Sequence, residues 1–182
     1  DLLVYFHGTP GATSECSIFD DAARMKNLRV VCFERSDVKE NIKDIEYYRT
    51  IASEIAMMAK GKDVNLVGFS IGCHVALEVA AIMGNKVKQL HLVSAAAPLE
   101  LGDFLDKMAG GIVFKLAQKH YFLFKLLSYW QSFIAKLSPK ILFNMLFASA
   151  KGSDLALSLK SDFQQFIKPI LTQTYSVALK GY

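Results

Sequence analysis

Four short apolar runs punctuate the first hundred residues: Leu2–Phe6 (LLVYF), Arg29–Phe33 (RVVCF), Val64–Phe69 (VNLVGF) and Gln89–Ser94 (QLHLVS). Each is rich in β-branched or long apolar residues and ends at turn-forming residues, which is the pattern of a strand covered on both faces. Between the second and third runs, Ile45, Tyr48, Ile51/Ala52, Ile55 and Met58/Ala59 recur at helical spacing. They predict a helix over Ile45–Lys60 that Gly61 ends. A second helix is predicted over Ile71–Met83, stopped by Gly84-Asn85. Strands alternating with helices predict an α/β layer: a mostly parallel central sheet flanked by helices.

After residue 98 the pattern changes to helical periods alone. Helices are predicted over Asp103–Lys119, Tyr121–Leu137, Pro139–Ala150 and Asp154–Leu179, and Pro169 should kink or split the last. Ser138-Pro139 and Ser153-Asp154 mark two of the starts. The expected organisation is therefore an α/β region over 1–98 and an all-helical region over 99–182. Fourteen of the 21 aromatics fall in the helical region, where ten lysines face five acids; before it, eleven Lys and Arg face twelve acids. Such an apolar, lysine-fringed block has three readings, in descending order: helices packed on each other and on the sheet, a lid over an apolar pocket, or a surface for anionic lipid.

Composition narrows the class without naming it. With 182 residues and 52% hydrophobic content, the chain has the material for a core and is neither disordered nor low in complexity. A net charge of +4 does not argue for nucleic acid, and the lysines are spread singly along helices. Three scattered cysteines (Cys16, Cys32, Cys73) lack a CxxC pair, so a disulfide framework is not expected and a reducing, cytoplasmic setting is. No uncharged apolar run reaches the ~18–20 residues of a membrane span. The chain opens at Asp1 directly into an apolar run and closes on Lys180-Gly181-Tyr182, so both ends read as cuts through something larger. A sheet cut in this way would leave open strand edges, and self-association is expected of it.

The sharpest chemical signal is Gly68-Phe69-Ser70-Ile71-Gly72, a G-x-S-x-G motif with a strand before it and a helix after it. On such a strained turn only small residues two positions to either side let the backbones pass. Ser70 is then raised clear of the sheet as a nucleophile, and the N–H of Ile71, at a helix start, can meet an oxyanion. The plainer alternative is a tight turn in which Ser70 caps the helix. His7-Gly8-Thr9-Pro10-Gly11, about sixty residues upstream, follows the first strand and can bring a second N–H, that of Thr9, to the same oxyanion. His7, Gly8 and Phe69, beside these groups, are the expected substrate-binding positions.

On these motifs the chain resembles the α/β-hydrolase superfamily, in the branch with an HGxPG oxyanion loop and a helical cap. The resemblance covers residues 1–98, and it implies a spatial strand order of second, first, third, fourth. It also implies Ser70 as nucleophile, Ile71 and Thr9 as oxyanion donors, His7 as a structural partner of its loop, and residues 99–182 as the cap. A serine at the turn points away from the members that use aspartate there. In this family the acid and histidine follow in the order Ser, Asp/Glu, His, on later strands that this chain lacks. Of the four histidines, His7, His74, His91 and His120, none has the expected position of the base. Glu100 is the candidate acid, with Asp103 behind it, although helix-start carboxylates explain both equally well.

No HExxH, CxxC or His/Asp cluster has metal-ligand spacing, and GxxxxGK[ST] and GxGxxG are absent, so no cofactor is expected. Arg35-Ser36-Asp37 reads as a salt-bridged turn. The expected function is hydrolysis of an ester, thioester or related acyl substrate, small and apolar, with weak or no activity from an incomplete chain. The alternative is a hydrolase-like protein that binds an apolar ligand or a partner without catalysis.

Overall fold

A computed structural model describes residues 1–9, 11–34, 37–38, 42–96, 102–106 and 111–176. The chain divides into two compact units, one of Asp1–Thr9 with Thr13–Phe104 and one of Pro10–Ala12 with Leu105–Tyr182.

The first unit is built on four strands, β1 (Leu2–Phe6), β2 (Arg29–Cys32), β3 (Val64–Phe69) and β4 (Val87–Val93). They form one parallel sheet in the order β2-β1-β3-β4, the order that the family resemblance implied. Leu2 stands opposite both Arg29 and Val64, so the three strands are in step along their length. Between β3 and β4 the register slips by one residue after Val64↔Val87, to Asn65↔Gln89.

Alternation along each strand decides which side chain meets which layer. Leu2, Val4 and Phe6 of β1 share a face with Val64 and Leu66 of β3, and all five are buried. Two helices, α2 (Asp44–Ala59) and α3 (Gly72–Met83), complete this core with Ile51, Ile55, Val75, Ala76 and Val79. Full burial of such a side chain contributes about 1.5–3 kcal/mol, so this layer dominates the stability of the unit. The opposite phase carries Tyr5, whose hydroxyl donates to Glu15 Oε2 at 2.8 Å and whose ring meets Phe19 edge-on.

Glu15 and Phe19 belong to a 3₁₀ segment, Thr13–Phe19, that runs into α1 (Asp20–Met25). Sequence periodicity does not anticipate these elements, because the 3₁₀ segment has no buried residue and α1 has only Ala23. The other side of the sheet ends in β4, where Leu92 and Val93 are 42% and 46% exposed.

Among its described residues the second unit has helices as its only regular elements: α4 (Gly111–Lys119), α5 (Tyr121–Leu137), α6 (Pro139–Leu146), α7 (Gly152–Ser158) and α8 (Ser161–Ser176). Ala135, Leu142, Phe143, Leu171 and Tyr175 form its core, with Phe143, Phe147 and Phe163 packed ring to ring. Two expectations are corrected here. Residues 102–106 are not helical, so the helix foreseen from Asp103 does not start there, and its described part is Gly111–Lys119. The long last helix breaks at Leu159–Lys160, while Pro169 lies inside α8. The break follows local chemistry that the sequence reading passed over: Asp162 Oδ1 accepts the Phe163 N–H at 2.9 Å at the new helix start. Among the described residues no helix is long and apolar enough to cross a membrane.

Candidate functional site

Ser70 sits at the junction where β3 ends and α3 begins, and its φ is +54°, in the left-handed region. For a residue with a Cβ this conformation is held only when its surroundings over-determine it. Here they do. The Ser70 N–H donates to Val93 O at 3.0 Å, and its carbonyl accepts from the N–H of Cys73 at 3.1 Å and of Ala96 at 3.3 Å. The buried Cys73 side chain lies beneath the turn, its thiol donating to Gly68 O at 3.1 Å. Burial pushes that thiol's pKa up, partly offset by the Val93 carbonyl beside it.

The glycines flanking Ser70 are required by close approach. A Cβ at Gly68 would stand 2.5 Å from Cys73 Cα, and one at Gly72 would overlap the carbonyl oxygens of Phe6 and His7. Strand β3 thus passes directly against the first turn of α3, and α3 starts directly against the end of β1. That contact also delivers the loop after β1. Gly8 lies beside the serine, where an added Cβ would come within 3.2 Å of Ser70 Cβ and 3.0 Å of the Phe69 ring.

Directly after Ser70, Ile71 precedes the first residue of α3, and its N–H meets no acceptor among the described residues. Thr9 is half-buried at the end of the same loop as Gly8, and Phe69 is partly exposed. The sheet therefore brings Gly8, Phe69 and Ser70 together at the C-terminal ends of its central strands, with Ile71 directly following.

His7 is turned inward. It is 6% exposed, its Nδ1 is 2.8 Å from Gly8 O, and its Nε2 is 3.8 Å from Glu34 Oε1. With Nδ1 carrying the proton, the ring ties down its own loop, and Glu34 at the end of β2 faces the other nitrogen. Glu34 escaped sequence reading because only the parallel pairing of β1 and β2 brings it there. Val93 and Ala96 escaped because only the pairing of β3 with β4 brings them to Ser70.

The other histidines stand elsewhere. His74 meets the Tyr48 ring edge-on at 5.8 Å, His91 is exposed on β4 with Nε2 3.4 Å from Gln89 Oε1, and His120 precedes α5 in the second unit. The Ser70 hydroxyl makes no hydrogen bond within the described residues. Glu100, Arg35 and Ser36 lie outside the described residues, and Asp103 is exposed. Among the described residues no group of three or more His, Cys, Asp or Glu could hold a metal ion. An open depression of about 370 Å³ lined by Asp20, Ala23, Arg24, Leu28 and Val30 lies beside the start of β2, away from the strand ends that carry Ser70.

No family model and no curated protein matches the chain. Solved structures do. MenH from S. aureus is similar with a TM-score of 0.56 at 16% identity, over 100% of this chain and 66% of that one. A lipase candidate (lip1) from Acinetobacter baumannii AYE is similar with a TM-score of 0.52 at 15% identity, over 99% of this chain and 55% of that one. At this identity the likeness is one of fold: the chain has an α/β-hydrolase-like fold with a partial, four-stranded parallel sheet core and an additional helical region. It spans two-thirds or less of the length of these two proteins.

Proposed function

We propose that the protein is a serine hydrolase of the capped α/β type, acting on an ester or thioester with an apolar acyl group. The observation that carries this reading is the conformation of Ser70, a strained φ of +54° on a strand-to-helix turn whose flanking glycines tolerate no side chain. A serine used only to cap a helix needs neither the strain nor the close approach. In the proposed reaction Ser70 Oγ attacks the acyl carbonyl carbon and gives its proton to a base. The N–H groups of Ile71 and Thr9 stabilise the tetrahedral oxyanion. Collapse of that intermediate expels the leaving group, which takes up the proton, and water then releases the acyl group from Ser70.

The base and its carboxylate partner are not beside Ser70 in the described residues, so activity depends on groups still to be assigned. Glu100 remains the candidate acid within the chain. The aromatic helical unit supports an apolar acyl group, because burial of apolar surface favours such a ligand over a charged one.

A second reading rests on the Ser70 hydroxyl, which has no hydrogen-bond partner among the described residues: a hydrolase-like protein that kept the turn and binds without catalysis. Fluorophosphonate labelling mapped by peptide mass spectrometry separates the two. The enzyme reading expects adduct on Ser70 and none in Ser70→Ala. Absence of adduct from the intact protein while it still binds an apolar ester would favour the second.

A further inference from the structure

Helix α5 is apolar on two opposite sides. Its inner side buries Phe124, Ser128 and Ala135 against the helices around it. Half a turn away, Phe122, Leu126, Tyr129, Phe133 and Leu137 recur at intervals of three and four, and each is between 57% and 77% exposed. A solvated helix turns charged and polar groups outward, whereas a helix apolar all round is one that something covers. Trp130 extends the stripe at one margin, while the exposed Lys125 and Lys136 border the other. Lys125 Nζ lies 6.0 Å from the centre of the Tyr129 ring, its stem running along the aromatic surface.

Charge says what the cover is. From Lys107 to Ser153 the chain has seven lysines and not one Asp or Glu, and of these Lys115 is paired with Asp106 just before the stretch. A second copy docked antiparallel on the stripe would set its own lysine margin against this one, like charge facing like. A layer of anionic headgroups over acyl chains meets both requirements: the lysines reach the phosphates while the aromatics and leucines enter the boundary below. At 17 residues and about 25 Å, α5 is suited to lying along a surface, and it is not long and apolar enough to cross one.

We propose that the outer face of α5 is a docking surface for anionic lipid, on which the helix lies parallel to the membrane plane. This surface goes beyond the hydrolase reading and is independent of Ser70, so the failure of either leaves the other standing.

Trp130 is the only tryptophan in the sequence and reports on the stripe directly. Its emission and the pelleting of the protein are followed with phosphatidylcholine vesicles, with and without phosphatidylglycerol, at low and high salt. The expected result is a blue shift and co-sedimentation with the phosphatidylglycerol vesicles, both falling as salt rises. Phe122→Ser/Leu126→Ser/Phe133→Ser should lose both while keeping its far-ultraviolet circular dichroism. Lys125→Gln/Lys136→Gln leaves every apolar side chain in place and should weaken binding about tenfold or more. The proposal is overturned if anionic vesicles leave Trp130 unmoved, or if neutral vesicles act equally well. A blue shift that grows with protein concentration alone, with no vesicle effect, would also overturn it, in favour of a second copy or another protein as the cover.

Discussion

Ser70 adopts a left-handed conformation that costs an L-residue about 1–2 kcal/mol, and hydrogen bonds from Cys73 of α3, from Ala96 and to Val93 hold it there. Removing its Cβ should release that strain. Ser70→Gly is expected to raise stability by about 1 kcal/mol in urea unfolding while abolishing fluorophosphonate labelling, so that stability and function move in opposite directions. An unchanged or lower urea midpoint would mean that Ser70 is not strained. At Gly72 the sign is reversed. A methyl group there would collide with the carbonyl oxygens of Phe6 and His7, and Gly72→Ala should cost about 1–3 kcal/mol, read as a lower urea midpoint. The motif carrying these residues was legible in the sequence because it is local: five consecutive residues encode a turn. Glu34 beside His7 was not legible, because 27 residues separate the two and only strand pairing joins them.

At the scale of single elements, α5 was read to its ends, since apolar repeats and Ser138-Pro139 mark its span clearly. Helix α8 was not. Pro169 lacks the N–H that would bond the carbonyl of Gln165, yet the helix continues through it. Burial of Ile170, Leu171 and Tyr175 just beyond the proline offsets the loss, and packing outweighs propensity. Pro169→Ala should therefore stabilise the helical unit by about 1 kcal/mol or more, visible as a higher melting temperature. A loss of stability would mean instead that α8 packs only in a shape set by the ring. The 3₁₀ segment over Thr13–Phe19 escaped for the opposite reason: its role depends on one tyrosine–glutamate hydrogen bond and one ring contact, neither of which repeats along the chain.

For the molecule as a whole, two tyrosine hydroxyls and two cysteine thiols, those of Tyr5, Tyr175, Cys32 and Cys73, shift in one direction. The Cys32 thiol is pushed well up, first by its hydrogen bond with Cys16, then by burial and by the charges of Cys16, Glu15 and Glu34. Tyr5 is raised by burial and then by Glu15, Cys73 chiefly by burial, and Tyr175 by burial. Each group holds its proton more tightly folded than unfolded. Their contribution is therefore complete below the unfolded values, about 8.5 for cysteine and about 10 for tyrosine, and is lost as pH rises above them. The urea midpoint should fall steadily on the alkaline side of about pH 8.5. A flat profile to about pH 11 would show that these groups titrate as freely folded as unfolded.

By itself the sequence determined the α/β alternation, the helical second half, the strand spans within one or two residues and the G-x-S-x-G turn. All of these are written in side-chain periods and in neighbours a few positions apart. Only the tertiary structure decided what lies next to what. The pairing of β1 with β2 sets Glu34 opposite His7, packing of the 3₁₀ segment on β2 brings Cys16 to Cys32, and the close contact of α3 with β1 puts Gly8 against Ser70. The same holds for the outer stripe of α5. A period of 3.6 marks apolar residues on both sides of that helix, and only the packing of its neighbours settles which side is buried and which is left exposed.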